Sequence, residues 1–444
     1  MHHPNNARQS ASLGRPSQHE SRLSAVPGSR VLRRLDAWLL SRSVLSYLVL
    51  LASLALALRL LWVVLAPGDA TSDAACYENL AARLARGMGY VRSATDPVPT
   101  AYRPPGYPIF LALLYLVLGV HHWVPGIAQA ILGTLSCLLV YRLGARSLGE
   151  APGRIAGIAL AIYPNHIYYT SASMSETLSV TLMLATLCLL ARGPLLRTRE
   201  LLAAGLMAGG SALVRPETML LWLLVIALLL AWGRVPCGAV RALLFTVGLI
   251  LAILPWTLRN LWVMKAPILI CTNTGVNFYI GNHHGASGCY HYPPGNPLLA
   301  MDDEVERNRE GFRLGLEFMR THPAEWASLV PKKVALLAAG EVDGVQWGLG
   351  NISWPTDRPR AAALGAIATL AYWPVLILGL AGMVKLGLRS YGTVLLSLAP
   401  IAWLIIHVVS FSGGRFHFQL IPIFLLFAAA IIHPPKREEV RLPS

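Results

Sequence analysis

Residues 44–66, VLSYLVLLASLALALRLLWVVLA, decide the fold class of this chain. The stretch is long enough to cross a bilayer, because a membrane-spanning helix needs about 20 apolar residues. Its one charge is Arg59, whose long side chain we expect to reach outward to the membrane surface in a structural role. Of all 444 residues, 55% are hydrophobic and 13% are charged, whereas soluble domains carry about 25% charged residues. The sequence therefore predicts an integral membrane protein.

Further apolar runs bring the prediction to about ten membrane spans. They cover residues 125–147, 153–170, 174–192, 200–214, 217–232, 239–258, 361–384, 392–411 and 417–433. Another apolar run, 105–120, is short and flanked by prolines, which is typical of a helix lying in the membrane plane. Leaving it out of the count places Arg142, Arg146 and most later basic clusters in the cytoplasm, as the positive-inside rule requires. We predict an all-α fold of about 10–11 transmembrane helices with in-plane juxtamembrane helices.

The same count defines the domain organisation. Residues 1–42 are rich in Ser, Pro, His and Arg, which predicts a disordered cytoplasmic tail. A transmembrane domain follows over residues 43–435, with a second cytoplasmic tail at 436–444. Two large outer loops result, at 67–124 and 260–360. The second loop is predicted to contain a helix from Asp303 to about Arg320, with a solvated start at Asp302-Asp303-Glu304. The net charge of +15 is explained by cytoplasmic Lys and Arg rather than by binding to nucleic acid.

Two carboxylates stand at the predicted outer ends of spans. Asp73 follows the first span and is either a helix N-cap or a general base at the membrane surface. Asp69 is a weaker candidate and is typical of a turn. Glu176, in Ser173-Met174-Ser175-Glu176-Thr177, opens the fourth span on the same side. The two carboxylates would orient an acceptor or hold a divalent metal, and the sequence leaves metal dependence open. The six cysteines show neither CxxC pairing nor zinc-like spacing.

Three arginines stand at outer span ends, against the usual charge bias. They are Arg215, Arg259, and Arg415 with His417 close by. Arg103 lies in the first outer loop, in Tyr102-Arg103-Pro104-Pro105. Anchoring to lipid headgroups is one explanation. Binding a lipid-linked phosphate is the other, since a guanidinium held by stiff prolines is prepared for bidentate phosphate contacts.

Taken in order, these motifs resemble the polytopic glycosyltransferases of the GT-C fold, a class that includes protein O-mannosyltransferases and aminoarabinose transferases. The resemblance covers most of residues 44–433. Its motifs are Asp73 with Tyr77, Arg103-Pro104-Pro105, Glu176, the stretch from Pro255 to Asn260, the stretch from Thr274 to Asn282, and Arg415. In that family the first-loop Asp is the catalytic residue, so the resemblance implies Asp73 as base and Arg103 as a contact to the donor phosphate. One departure is Ala74, which stands where many members have a second acidic residue.

The resemblance implies a membrane glycosyltransferase of the cell envelope. It would move a sugar from a polyprenyl-phosphate donor to a lipid, glycan or protein acceptor, with inversion, on the outer face of the cytoplasmic (inner) membrane. Both termini would be cytoplasmic, and the site would face the periplasm or exterior. The predicted substrate-binding residues are Tyr77, Arg103, Glu176, Arg215, Arg259, Arg415 and His417. The alternative is a transporter or flippase for a lipid-linked glycan, which should carry its ionisable residues at mid-membrane.

Overall fold

The structure is a computed structural model that describes residues 41–66, 68, 72–193, 196–232, 238–349 and 359–434. The predicted tails lie outside these residues, apart from residues 41 and 42, and so does Asp69. The chain divides into two compact units, 1–47 and 48–444. Of the first unit, the structure describes residues 41–47, which include the start of the first helix. The second unit holds the rest of that helix and all of the elements after it.

Helices make up almost all of the regular structure in the described residues. They are α1 (Val44–Leu65), α2 (Ser72–Ala85), α3 (Gly106–Leu118), α4 (Trp123–Ser147), α5 (Glu150–Ala161), α6 (Pro164–Tyr168), α7 (Glu176–Leu190), α8 (Thr198–Val214), α9 (Thr218–Ala231), α10 (Gly238–Val263), α11 (Thr274–Gly281), α12 (Glu304–Thr321), α13 (Pro323–Leu337), α14 (Asp343–Gly348), α15 (Pro359–Leu386), α16 (Tyr391–Val409) and α17 (Ile421–Ile432). Short 3₁₀ segments lie at Tyr169–Ser171, Pro297–Ala300 and Gly414–Leu420. The described residues contain no β-strand beyond one isolated bridge between Val91 and Pro99, so the predicted all-α class is confirmed.

Six of the helical stretches are long and apolar enough to cross a membrane. They are Val44–Leu65, Trp123–Ser147, Gly238–Val263, Pro359–Leu386, Tyr391–Val409 and Gly414–Ile432. The chain is thus a multi-pass membrane protein. The other predicted spans are shorter helices, and the span predicted at 153–170 is not one helix. It breaks after Ala161 because Pro164 disfavours helical geometry at the residue before it, and Tyr163 has extended backbone angles.

Helix α3 corresponds to the predicted in-plane segment. Its 13 residues reach about 20 Å, short of the roughly 30 Å of a hydrocarbon core. The Tyr107 and Leu111 face packs on α2, against Tyr77 and Ala81. The opposite face leaves apolar side chains such as Val117 uncovered. This pattern suits a helix between protein and lipid, and the in-plane orientation stays a prediction.

Helices α8 and α10 cross at glycines. A methyl group added at Gly205 would lie 2.1 Å from the carbonyl oxygen of Phe245, and one at Gly248 would lie 2.3 Å from that of Leu202. Only glycine permits backbones to approach so closely, which is a common device where helices meet inside membranes.

The predicted outward reach of Arg59 is wrong. Its side chain is fully buried and donates hydrogen bonds to the carbonyl oxygens of Ala55, Leu160 and Ala161 at 3.1–3.3 Å. The last two residues end α5, where carbonyl groups lack helical partners and the helix dipole attracts a cation. Arg59 therefore joins α1 to the end of α5 and has the structural role expected of it.

The segment 260–360 is folded over most of its length. Helix α12 confirms the predicted helix, and the Asp303 side chain caps it by accepting from the amides of Val305 and Glu306. The expectation of a solvated start fails for Glu304, which is buried. Its carboxylate accepts from the Thr100 hydroxyl and the Ala101 amide, both at 2.6 Å. Glu304 therefore ties α12 to the chain just before Arg103.

Candidate active site

Five of the predicted site residues form one charged network. The carboxylates of Asp73, Glu176 and Glu217 alternate with the guanidinium groups of Arg103, Arg415 and Arg215. These residues come from five separate stretches of the chain, so the fold assembles the network. Its three positive charges balance three negative ones.

Asp73 stands in the first turn of α2. The residue before it, Ser72, has a φ of 51°, a left-handed conformation that is uncommon outside glycine and clusters at functional sites. One carboxylate oxygen of Asp73 accepts from Arg103 at 2.6 Å, and the other accepts from Arg415 at 3.2 Å. Burial works to raise the Asp73 pKa, but the two arginine charges outweigh burial and hold that pKa below its ordinary value. Asp73 is therefore an anion at neutral pH.

Glu78, one turn further along α2, has a different environment. Its carboxylate accepts a hydrogen bond from the Ser173 hydroxyl, and burial raises its pKa. Glu78 forms no ion pair among the described residues. Asp73 is thus the acidic residue of this helix that meets the arginines.

Arg103 is held by aromatic rings and by its proline neighbours. Its guanidinium lies 5.7 Å from the centre of the Tyr77 ring and 5.5 Å from that of Tyr102. The hydroxyl of Tyr90 donates to the carbonyl oxygens of Arg103 and Pro104, which fixes the backbone. The Tyr77 ring is itself buried, and it supports the Arg103 guanidinium from one side.

Glu176 is almost completely buried, with 1% of its side chain exposed. One oxygen accepts from Arg415 and pairs with Arg215, both at 2.8 Å. Arg215 also bonds Glu217 at 2.5 Å. The second oxygen of Glu176 is buried and has no hydrogen-bond partner among the residues that the structure describes, which is costly for a carboxylate. Glu176 mainly fixes the two arginines in place.

Arg415 lies between the two predicted carboxylates. It is the second residue of the 3₁₀ segment before α17 and bonds Asp73 with one nitrogen and Glu176 with two others. A guanidinium thus occupies the position between the carboxylates. A divalent metal does not fit between the carboxylates in this arrangement, because Arg415 already bonds both of them.

Two predicted residues lie outside the network. Arg259 donates to the carbonyl oxygens of Thr100 and Tyr90, at 2.9 and 3.0 Å, and lies over the Trp256 ring. His417 is buried, donates from Nδ1 to the carbonyl of Leu337 at 2.8 Å, and places Nε2 3.3 Å from a Glu341 oxygen. Arg259 supports the backbone that precedes Arg103, and His417 anchors the segment that carries Arg415.

A cavity of about 530 Å³ opens beside Arg103. Its lining includes Arg83, Arg92, Arg103, Arg307, Glu304 and Cys76. Four guanidinium groups and one carboxylate give the cavity a positive character, which suits an anion. Glu304 is already satisfied by three donors from the residues around it.

Two members of this region, Glu217 and Glu304, are not among the residues predicted from the sequence. Glu217 stands two residues after Arg215, in Val214-Arg215-Pro216-Glu217. A buried arginine needs a counter-charge, and that need is the signal that would have pointed to it. Glu304 gave no such signal, because an acidic residue at a helix start is usually solvated.

Known proteins resemble this chain in sequence over part of its length and in fold over most of it. Residues 102–258 match the protein family described as dolichyl-phosphate-mannose-protein mannosyltransferase. No curated protein matches the chain in sequence. Among solved structures, the archaeal oligosaccharyltransferase AglB from Archaeoglobus fulgidus, in complex with an inhibitory peptide and a dolichol-phosphate, superposes with a TM-score of 0.52 at 13% identity. That match covers 87% of this chain and 49% of the other.

Two further structures are similar. The apo form of the Archaeoglobus fulgidus oligosaccharyltransferase gives a TM-score of 0.51 at 14% identity, over 87% of this chain and 49% of that one. ArnT from Cupriavidus metallidurans, bound to undecaprenyl phosphate, gives 0.41 at 14% identity, over 88% and 78%. The chain spans about half the length of the oligosaccharyltransferases. The fold and the family match confirm the resemblance seen in the sequence: this is a membrane protein of the GT-C glycosyltransferase fold.

Proposed function

We propose that the chain is a glycosyltransferase that moves a sugar from a polyprenyl-phosphate donor to an acceptor, with inversion and with Asp73 as general base. One observation carries the proposal: Asp73 is held between Arg103 and Arg415 at the end of a charged network. The network supplies a base for the acceptor and cations for a phosphate leaving group within a few ångströms. The acceptor is a hydroxyl or amine on a lipid, glycan or protein.

The donor phosphate binds at Arg103 and the cavity beside it. Negative charge grows on the phosphate as the bond to the anomeric carbon breaks, and fixed guanidinium groups stabilise that charge. Arg103 carries the contact, with Arg83, Arg92 and Arg307 around it. The complex of the similar AglB with a dolichol-phosphate supports a polyprenyl phosphate as the ligand.

Donor binding and the basicity of Asp73 are linked. In the structure the Asp73 carboxylate forms an ion pair with Arg103. The positive charge of Arg103 helps to hold the Asp73 pKa below its ordinary value. A phosphate that takes over the Arg103 guanidinium removes one counter-charge from Asp73, and the carboxyl pKa then rises. Asp73 becomes a better base when the donor is bound, and it removes the acceptor proton as the acceptor attacks the anomeric carbon from the face opposite the phosphate.

The rest of the charged network holds Arg415 in place. Glu176 and Arg215 fix Arg415 from behind, so Asp73 keeps one oriented partner after Arg103 turns to the phosphate. Orientation of this kind contributes to catalysis because it removes reorganisation from the reaction step.

The proposed site faces the periplasm or exterior of the cytoplasmic membrane, and both termini are cytoplasmic. Support comes from the charge distribution, in which most basic clusters fall on the other side of the spans. Cysteine accessibility at residue 142 tests this topology: labelling from the outside would contradict it.

Asp73→Asn tests the base. Sugar transfer from a polyprenyl-phosphate donor in membranes should fall by about 10²–10⁴-fold, the usual contribution of a general base. Asp96→Asn is the matched control, because Asp96 is an exposed carboxylate in the same predicted loop, and it should transfer at the wild-type rate. Undiminished transfer by Asp73→Asn, at normal expression, would contradict the assignment of Asp73 as the general base.

Binding of undecaprenyl phosphate tests the link to the donor. If Asp73 and the phosphate compete for Arg103, Asp73→Asn should bind the lipid at least as tightly as the wild type while failing to transfer. Weaker binding by Asp73→Asn would mean that the carboxylate helps to hold the donor. That result would contradict the proposal that the phosphate replaces Asp73 as the partner of Arg103.

A further inference from the structure

Two histidines of the segment 260–360 meet away from the charged network. His284 lies in the chain after α11, and His322 lies between α12 and α13. Their Nε2 atoms are 3.1 Å apart. The buried Phe318 ring packs against both imidazoles, which fixes their relative position.

The tautomer of His284 follows from its other nitrogen. Nδ1 lies 2.9 Å from a carboxylate oxygen of Glu325. An ionised carboxylate only accepts hydrogen bonds, so Nδ1 carries the hydrogen. In the neutral ring Nε2 then presents a lone pair.

The tautomer of His322 follows in the same way through Thr321. The Thr321 hydroxyl has one hydrogen and two neighbours, the Glu317 carbonyl oxygen at 2.7 Å and His322 Nδ1 at 2.8 Å. A carbonyl oxygen can only accept, so when the hydroxyl donates to it, Nδ1 of His322 carries the ring hydrogen. In that arrangement the Nε2 atom of His322 also presents a lone pair.

Two lone pairs at this distance repel unless a cation lies between them. Metal–nitrogen bonds to Zn²⁺ are about 2.0–2.1 Å, so two nitrogens 3.1 Å apart subtend roughly 100° at a shared ion, close to tetrahedral and square-planar angles. A carboxylate on the far nitrogen of a ligating histidine is the usual outer partner of such a ligand. Glu325 is already in that place.

We propose that His284 and His322 form a two-nitrogen site for a divalent transition metal, Zn²⁺ or Cu²⁺, with Glu325 as the residue that orients His284. No cluster of three or more His, Cys, Asp or Glu side chains in the described part of the chain is arranged to hold a metal. Water therefore completes the coordination, as the exposure of His284 permits. The ion would fasten the chain after α11 to the corner between α12 and α13.

Metal binding to the full chain in detergent, purified without a polyhistidine tag, tests the proposal. Cu²⁺ electron paramagnetic resonance should show two nitrogen ligands in the wild type and one in His284→Ala or His322→Ala. Zn²⁺ affinity by calorimetry should fall by more than 10-fold in either variant and by about 10-fold in Glu325→Gln, the usual effect of losing an outer partner. His291→Ala removes another exposed histidine of the same segment and should bind as the wild type does.

Amide hydrogen exchange gives a readout that does not depend on affinity. Zn²⁺ should slow exchange after α11 and at the α12–α13 corner in the wild type, and should leave His284→Ala unchanged. Equal binding by the wild type and His284→Ala would overturn the proposal. So would a wild type in which the two rings share a proton and bind neither Zn²⁺ nor Cu²⁺.

Discussion

Two sets of buried or half-buried arginines have different partners in this protein. Arg103, Arg215 and Arg415 face carboxylates, whereas Arg59 and Arg259 mainly face backbone carbonyl oxygens. A carbonyl belongs to the backbone and cannot exchange partners without a change of fold. A carboxylate carries a full charge, and an incoming phosphate can replace it. We therefore propose that the nature of the partner separates arginines that serve chemistry from those that hold the fold.

Glu176→Gln should have the largest effect on the site. It leaves Arg215 and Arg415 partly uncompensated in a buried position, and breaking a buried ion pair costs about 3–5 kcal/mol. Thermal unfolding in detergent should show this loss, together with loss of transfer. Glu310→Gln, which breaks an exposed pair with Arg313, should hardly change the melting temperature.

A charge-balanced variant sharpens this test. Glu176→Gln combined with Arg215→Gln removes one charge of each sign and should regain part of the lost stability. If the double variant is no more stable than Glu176→Gln alone, the charges do not compensate each other and the network does not act as one unit.

Arg103→Ala and Arg259→Ala test whether an arginine paired with a carboxylate and one paired with carbonyl oxygens have different roles. Arg103→Ala should lower transfer by about 10²–10³-fold, as loss of one transition-state donor does. Its stability should change by no more than about 1 kcal/mol, because the Arg103–Asp73 pair is about a fifth exposed. Arg259→Ala should mainly lower stability, by about 1–3 kcal/mol. It removes the donor to the Thr100 carbonyl oxygen and one of the two donors to the Tyr90 carbonyl oxygen, which also accepts from the Thr100 amide.

Transfer rate per folded molecule and melting temperature, measured on the same preparations, distinguish the two. The expected result is a crossed pattern, with activity lost in one variant and stability in the other. If both variants lose activity to the same degree at unchanged stability, the division by partner type is wrong.

Much of this arrangement was predictable from local sequence. Hydrophobic runs located the membrane helices, and charges at span ends selected Asp73, Arg103, Glu176, Arg215 and Arg415. Local sequence did not predict the pairings, because Arg415 and Asp73 are 342 positions apart. Arg259 and Arg415 look alike in sequence, each an arginine at the end of an apolar run, and only the fold shows that one meets carbonyls and the other carboxylates.

Arg59 illustrates the same limit. A lone arginine in an apolar run suggests a side chain that reaches the membrane surface, yet here it ends at the carbonyl groups of α5. That destination depends on where α5 packs and on the absence of a side chain at Gly133. Neither is visible in residues 44–66.

Gly133→Ala should disturb Arg59 and lower the stability of the protein by less than Glu176→Gln does. The added methyl group would lie 2.4 Å from Arg59 Nε, and overfilling a packed interior costs about 1–3 kcal/mol. Transfer per folded molecule should stay near the wild-type rate, because Arg59 has no part in the network. Gly210→Ala is the matched control in another helix: its methyl group meets only Leu182, at 3.9 Å, and should stabilise the protein by up to about 1 kcal/mol.

The pH dependence of the Asp73 ion pair should be the smallest effect. The folded-state pKa of Asp73 lies below its ordinary value of 3.8, so the pair stabilises the folded state fully above the unfolded pKa. That contribution disappears as pH falls through the lower, folded pKa. The melting temperatures of the wild type and Asp73→Asn should therefore differ by a constant amount from pH 8 to about pH 5 and converge only in more acidic solution.

The size of the difference should be about 1 kcal/mol or less, because both side chains of the Arg103 pair are partly exposed. Adding an undecaprenyl phosphate at neutral pH should reduce the difference to the part that comes from the Arg415 pair, since the phosphate takes over Arg103 in both proteins. A difference of unchanged size with bound lipid would show that Asp73 keeps Arg103 as its partner. In that case Arg415 and the cavity arginines would have to hold the phosphate, and Arg103 would belong with the arginines that serve the fold.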